Sequence, residues 1–256
     1  MEIQLPENID LSHSERYLLA IDVRQDQFAF FLYCPDESRD YFYYRIPVEQ
    51  PAGAFLSFRN AFFDNSFFTL PFKKTIIINS TPLFTYVPNL IFEEKDKEEY
   101  LRFLCTAVDG KILCQTLPSL ELSILHEMPE EIYGFFQRSF TDVRMIHRTA
   151  VLMDYFLNRE SAVGNRMFIH HQGKELDILC FSNDKLLLGN HFHCSQSKEA
   201  VYYILYIWKQ LKFNQLKDTL HIAGEAEDLQ EKMGKYIRTI VPVTIPFEQM
   251  VLSHYE

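Results

Sequence analysis

Apolar and polar positions alternate in two stretches of the chain that share one grammar. Between Tyr17 and Ile46, the runs LLAIDV (18–23), QFAFFLYC (27–34) and YFYYRIPV (41–48) are separated by turn residues, the pattern of an antiparallel three-strand meander. From Arg166 to Cys194 it returns as RMFIHH, a Gln-Gly-Lys turn, ELDILCF, a Ser-Asn-Asp turn and KLLLGNHFHC. After each meander the apolar period lengthens to that of a helix. Ala54, Phe55, Phe58, Ala61 and Phe62 predict a helix from after Pro51 to about Asn65. KEAVYYILYIWKQLKF predicts a longer one, with Val201, Ile204, Leu205, Trp208 and Leu211 inward and Ser195 or Ser197 as its cap. An apolar strand follows each helix, KTIIINS (74–80) and TLHIAG (219–224), fit to lie parallel to the first strand of its meander after a helical crossover.

The remaining segments complete two copies of one plan. Residues 1–16 are polar and read as a lead-in, and TPLFTYVP (81–88) is extended. EEKDKEEYLRFLCTAV (93–108) reads as a helix with a solvated charged half and Leu101, Leu104 and Val108 facing inward. KILCQTL and LELSILHEM are strands. Pro129, at a first helical position, opens EEIYGFFQRSF, whose buried side is Ile132, Phe135, Phe136 and Phe140. DVRMIH (142–147) is a strand, RTAVLMDYFLNRE (148–160) a helix and SAVGN a hinge; EAEDLQEKMGK and YIRTIVPV add a last helix and strand. The fold class is therefore α/β, with β-β-β-α-β-α-β occurring twice. The first lobe is expected over 1–160 with an insertion at about 81–128, and the second over 161–256.

Composition narrows the function. A chain of 256 residues suits two lobes, and 47% hydrophobic content with 8 Gly indicates packed cores. The net charge of −10 opposes phosphate neutralisation and disfavours nucleic-acid binding. No Lys/Arg run suggests a membrane-surface patch, and the longest apolar run, VYYILYIW (201–208), is too short for direct membrane insertion. The N-terminus has no apolar signal region. Cys34, Cys105, Cys114, Cys180 and Cys194 are odd in number and dispersed, as expected of reduced thiols in a cytoplasm. Among 23 Phe and 14 Tyr, most are expected in sheet cores. An exposed remainder would mark a protein-binding surface, with Tyr41, Tyr43, Tyr44, Tyr202, Tyr203 and Tyr206 the candidates beside ordinary packing.

Two consecutive units of this kind resemble the actin-like ATPase superfamily, whose lobes are ribonuclease-H-like, and in particular the bacterial branch of the cell-division protein FtsA and the pilus-assembly protein PilM. LLAIDVRQDQFAF, DVRMIHRTAVLMDYFL, TLHIAGEAED and the tail TIPFEQMVLS carry the resemblance, over roughly residues 15–252. The chain also resembles an uncharacterised bacterial family, known only as a domain of unknown function and assigned this fold. The resemblance implies an interlobe nucleotide cleft built from Asp22, Arg24, Gly173, Asp177 and Gly224. In functional members, glycines in Asp-x-Gly turns let backbone N–H groups approach the phosphates. Here the first such glycine is Arg24. In the second turn His170 takes the place of the metal-linked Asp and Gln172 that of the glycine, leaving Gly173. At the adenosine strand Gly224 is kept but Glu225 replaces its partner, and EAED suits a helix dipole while repelling a phosphate.

Each candidate chemistry has a plainer counterpart. Asp22 holds a hydrated magnesium ion, as in the family, or ends a strand; Arg24 clasps a phosphate, plugs the cleft, or pairs with Asp22 or Asp26. His191 and His193 point the same way along one strand and could ligate zinc. His170 and His171 lie on the first strand of the meander, and partly exposed edge-strand histidines are the plainer reading. A ribonuclease-H-type nuclease needs several carboxylates at the first and fourth strands, where KTIIINS offers only Asn79. Cys194 beside His193 is a faint hint of a nucleophile. The expectation is a non-catalytic scaffold or adaptor that binds a protein partner and needs no cofactor. The alternative is a divergent ATPase or phosphotransferase using Mg-ATP through Asp22 and Asp177.

Overall fold

Every residue of Leu18–Val23 (β1) is buried, so the strand must be covered on both faces. In the computed structural model, which describes residues 2–25, 27–35, 41–47, 53–105, 108–159, 163–225 and 227–253, β1 is the middle of a five-stranded sheet. Phe28–Tyr33 (β2) and Tyr41–Ile46 (β3) extend it antiparallel on one side. Ala54–Asp64 (α1) then crosses to Lys74–Asn79 (β4), which pairs parallel to β1 with Asp22 opposite Ile78. Residues between β4 and the next core helix form a separate antiparallel sheet of Phe84–Pro88 (β5), Lys111–Leu117 (β6) and Leu122–Met128 (β7), in the order β5-β7-β6. Lys97–Leu104 (α2) lies between β5 and β6 in the chain. Glu130–Ser139 (α3) and Val143–His147 (β8) return to the main sheet, whose order is β3-β2-β1-β4-β8.

Arg148–Arg159 (α4) leads into the repeat. Asn165–Gln172 (β9), Glu175–Ser182 (β10) and Lys185–His193 (β11) form the second meander. Its two turns carry positive φ at Gly173 and Asn183, as tight hairpins require. Ser197–Gln210 (α5), Thr219–Gly224 (β12), Glu227–Met233 (α6) and Thr239–Val243 (β13) follow, and Phe247–Ser253 (α7) ends the described chain. The second sheet runs β11-β10-β9-β12-β13, the same order of third, second, first, fourth and fifth strand. Contacts divide the chain into two units, Met1–Ala150 and Val151–Tyr255.

In the first unit, alternate side chains of β1 and β2 meet α1 and α3 in a phenylalanine core. Phe58 lies within 6.3 Å, centroid to centroid, of Phe28, Phe62, Phe68, Phe135 and Phe136. The second core packs Met167, Ile169, Leu176 and Ile178 against Ile204, Trp208 and Met233. The insertion has a small core of its own, Val87, Leu101, Val108, Ile112 and Leu125.

Several expectations shift. The lead-in is docked: Ile3 and Ile9 are buried, and the Ile3 N–H donates to Asn65 Oδ1 at 2.7 Å. The helix expected over 93–108 is only two turns long, preceded by a 3-10 turn at Glu94–Asp96. Its inward row is Leu101, fully buried, with Lys97 and Cys105 half-buried four residues to either side, so Leu104 faces outward, 64% exposed, and Val108 is buried beyond the helix end. Pro129 is the N-cap of α3, not its first residue. Neither serine caps α5; Gln196 occupies the N-cap without a side-chain bond, and the Ser195 N–H donates to Glu199 Oε2 at 2.7 Å. The tyrosines divide: Tyr203 stacks on Phe192, Tyr44 packs on Phe30, and Tyr202 and Tyr206 stay exposed. Asp26, Ser161 and Ala162 lie outside the described residues, and with them the Asp26 pairing and part of the hinge.

Phe58→Ala is expected to destabilise the first unit by about 3–5 kcal/mol, because it removes the ring the other phenylalanines share. Phe63→Ala, at a side chain 71% exposed, should change stability by no more than about 0.5 kcal/mol. Urea unfolding of both variants checks the contrast.

Candidate functional site

Asp22 is the penultimate residue of β1, where the strand still lies beside β4, and it is 5% exposed. A carboxylate in that position must be paired or protonated. Arg24 turns back so that its Nε–H donates to Asp22 Oδ2 at 2.8 Å, and Ser80 Oγ donates to Oδ1 at 2.7 Å. Arg148, at the start of α4, brings a second guanidinium to 3.8 Å. Burial pushes the Asp22 carboxyl up, but Arg24, Arg148 and the two hydrogen bonds outweigh it and hold it below the ordinary carboxylate range. Arg24 is thus a buried partner of Asp22. Beside this pair, at the carboxyl ends of β1 and β4, is a cavity of about 270 Å³ lined in part by Arg24, Asn79, Ser80, Thr81 and Glu127.

A second polar cluster ties the inserted sheet to the main one. The Asn79 amide donates to His126 Nδ1 and to the Glu127 carbonyl, both at 2.8 Å. The Thr149 N–H donates to His147 Nδ1, so His147 carries its proton on Nε2 and donates to the Thr81 carbonyl at 3.1 Å. The His147 N–H donates to Gln115 Oε1. Burial, then the neighbouring His147 ring, keeps His126 well below the usual imidazole range, hence neutral. Asn79 therefore acts as an amide crosslink in the position where a nuclease would need an acid.

In the second unit the strand register places His170, Asp177 and His191 directly across from one another on β9, β10 and β11, and hence on one face. His170 occupies the penultimate β9 position beside β12, as Asp22 does on β1 beside β4. The Phe247 ring of the tail packs on it at 5.7 Å. His191 donates from Nδ1 to Asp177 Oδ1 at 2.7 Å and from Nε2 to Glu175 Oε2 at 2.5 Å. His193 reaches Glu175 Oε1 at 3.0 Å. Burial lowers His191, but the bonds and charges of Asp177 and Glu175 prevail and lift it to about 9, so it is an imidazolium at neutral pH. His191 and His193 lie on the edge strand β11, 12% and 60% exposed, as expected of partly exposed edge-strand histidines; His170 departs from that reading, 3% exposed on the central strand β9. The same bonds to His191 draw Glu175 below its ordinary value. Among the described residues no group of three or more His, Cys, Asp and Glu side chains is placed to hold a metal ion. Burial, Glu199 and Glu175 push the Cys194 thiol up to about 11, the wrong direction for a nucleophile.

Gly224 and Gly173 meet at one point of this unit. Gly224 has φ +84, and a Cβ there would overlap the His171 carbonyl, so the residue must be glycine. The chain continues with the Glu225 N–H donating to the His171 carbonyl at 2.7 Å and His171 Nδ1 donating to the Glu225 carbonyl at 2.8 Å. Glu225 Oε2 then accepts the Gly173 N–H at 3.1 Å. The turn amide that a phosphate would approach is met by the chain's own carboxylate.

Of the five residues expected at the site, Asp22 and Arg24 are thus brought together in the first unit. Gly173 and Gly224 are linked through Glu225 and His171 in the second, while Asp177 faces His191. Sequence reasoning missed Arg148, Glu175 and the Asn79–His126–His147 cluster. Arg148 had a signal, since it directly follows the strand that lies next to β4; so did Glu175-x-Asp177 and His191-x-His193, whose period-two spacing puts each pair on one sheet face.

Residues 6–240 match the profile described as Protein of unknown function (DUF3822). The chain belongs to this family. No curated protein matches the sequence closely enough to count as a relative. A crystal structure from Bacteroides thetaiotaomicron VPI-5482, described as a protein with actin-like ATPase fold and unknown function, covers 96% of this chain and 98% of its own. The TM-score is 0.84 at 27% identity. The PilM-PilN type IV pilus biogenesis complex follows with TM-score 0.52 and 10% identity over 89% of this chain and 88% of that one, a likeness of fold alone. This DUF3822 member therefore has the actin-like ATPase fold expected from its duplicated strand order, with PilM among its structural neighbours. Among the described residues no helix is long and apolar enough to cross a membrane.

His191 makes stability depend on pH. Its folded pKa of about 9 lies above the ordinary 6.5, so its contribution, up to about 3 kcal/mol, is complete below pH 6.5 and is lost as pH rises through about 9. His191→Gln should therefore be clearly less stable than the parent at pH 6 and differ little from it near pH 9.5. Denaturant midpoints of the two proteins across that range check this.

Proposed function

We propose that the chain is a non-catalytic member of the actin-like fold, a cytoplasmic scaffold or adaptor that binds another protein. One observation carries the reading: Asp22, the carboxylate the superfamily would use to hold magnesium, is buried and already bonded to Arg24 and Ser80 with Arg148 alongside. A magnesium ion held through a carboxylate and substrate phosphates would have to displace those partners. The second unit supports the same conclusion, with Asp177 bonded to an imidazolium and the Gly173 amide to Glu225. In PilM, a neighbour of the same fold solved as a complex with PilN, the fold stands beside a second protein, a role consistent with a chain whose anion-binding groups are satisfied internally. Five free thiols suit a reducing cytoplasm.

The competing activity, a Mg-ATP-dependent ATPase or phosphotransferase, makes a different thermal prediction. A ligand at a hundred times its Kd adds about 2.7 kcal/mol to the folded state, roughly 5–10 °C in Tm for a chain of this size. Differential scanning fluorimetry with saturating Mg-ATP is expected to leave Tm unchanged. A rise of that order would overturn the non-catalytic reading.

A further inference from the structure

Single exposed apolar side chains are ordinary on a protein surface, whereas a contiguous group of them is not. Of the exposed large hydrophobics among the described residues, four fall within residues 90–104: Leu90 at 96%, Ile91 at 57%, Phe103 at 87% and Leu104 at 64%. They belong to the insertion of the first unit, where α2 lies against β5, an edge strand of the three-stranded sheet. Between them is a groove of about 410 Å³ whose apolar wall includes Ile91, Tyr100, Phe103 and Leu104 and whose lining also includes Asp96 and Glu99. The insertion core is built from Val87, Leu101, Val108, Ile112 and Leu125, with Tyr100 packed against it, and does not include Leu90, Ile91, Phe103 or Leu104.

The charges around the groove are one-sided. Residues 93–102 hold five acids and three bases. Two of those bases are engaged locally, Lys95 with Glu93 at 2.7 Å and Lys97 with Glu94 at 2.6 Å. Asp96 and Glu99 thus present negative charge along an apolar floor, which favours cationic neighbours. The same charge opposes an anionic lipid surface.

We infer that this groove docks a short basic amphipathic segment of a partner protein, with apolar side chains seated against Ile91, Tyr100, Phe103 and Leu104 and Lys or Arg side chains against Asp96 and Glu99. The inference rests on the proposed binding role and gives it a surface and a partner chemistry. Its mode is helix-in-groove recognition, in which anchors spaced three and four residues apart enter an apolar slot.

The test is fluorescence anisotropy with two labelled synthetic peptides that share Leu and Phe anchors at helical spacing and differ only in carrying Lys or Glu at every other position. The intact chain should bind the Lys peptide at least about tenfold more tightly than the Glu peptide, with affinity falling as salt rises. Phe103→Ser with Leu104→Ser should abolish binding at unchanged Tm, because both side chains are exposed. Asp96→Lys with Glu99→Lys should reverse the preference. Equal binding by the Ser variant, preference of the parent for the Glu peptide, or failure to bind the Lys peptide would overturn the inference. So would a dimer in sedimentation, or binding to phosphatidylserine vesicles, that disappears with the Ser variant, since a second copy or a membrane would then be the occupant. The Mg-ATP melt is independent: a nucleotide shift with peptide binding intact removes the non-catalytic reading alone. Lost peptide binding without a nucleotide shift removes the groove alone.

Discussion

An ionised carboxylate at the end of a strand buried on both faces needs compensating charge, and most of the chemistry near β1 follows from how Asp22 obtains it. The chain draws on one guanidinium two residues along and another from the start of α4, with a hydroxyl from just after β4. Breaking such a buried pair from one side costs about 3–5 kcal/mol, because the surviving charge is left without its partner. Residue 24 is therefore constrained by charge. A glycine there would remove the closer of the two cations from Asp22.

The second unit repeats the backbone solution and changes the chemical one. Its sheet has the strand order of the first, yet the place equivalent to Asp22 belongs to His170, and the buried acid is Asp177 on the neighbouring strand. Its partner, His191, stands opposite it on β11 and is held protonated by two carboxylates. Backbone duplication can persist through such a change because sheet order depends on apolar burial and crossover handedness. The polar groups at the strand ends need only be satisfied in some way.

Strand order and the two cores were legible because they rest on period and spacing: alternation for the meanders, the 3.6 repeat of Phe58 and Phe62, glycine and asparagine at the turns. What was illegible depends on contacts between residues far apart in the chain. Nothing local to Asn79 tells that its amide will bridge His126 and Glu127, 47 and 48 residues on. Nothing in a helical wheel tells that α2 ends after two turns and leaves Leu104 outside. The pairing of Arg24 with Asp22, two residues away, was among the readings of the sequence, whereas the role of His191 depends on carboxylates of β10 that only the fold brings within reach.

The replacements share a direction. Arg24 places a cation on Asp22. His191 places another on Asp177. Glu225 places an anion on the Gly173 amide. A buried charge or polar group left uncompensated costs about one to several kcal/mol. Here Arg24, His191 and Glu225 each meet a group of complementary charge or polarity, so the strand-end carboxylates of both units are compensated from within the chain.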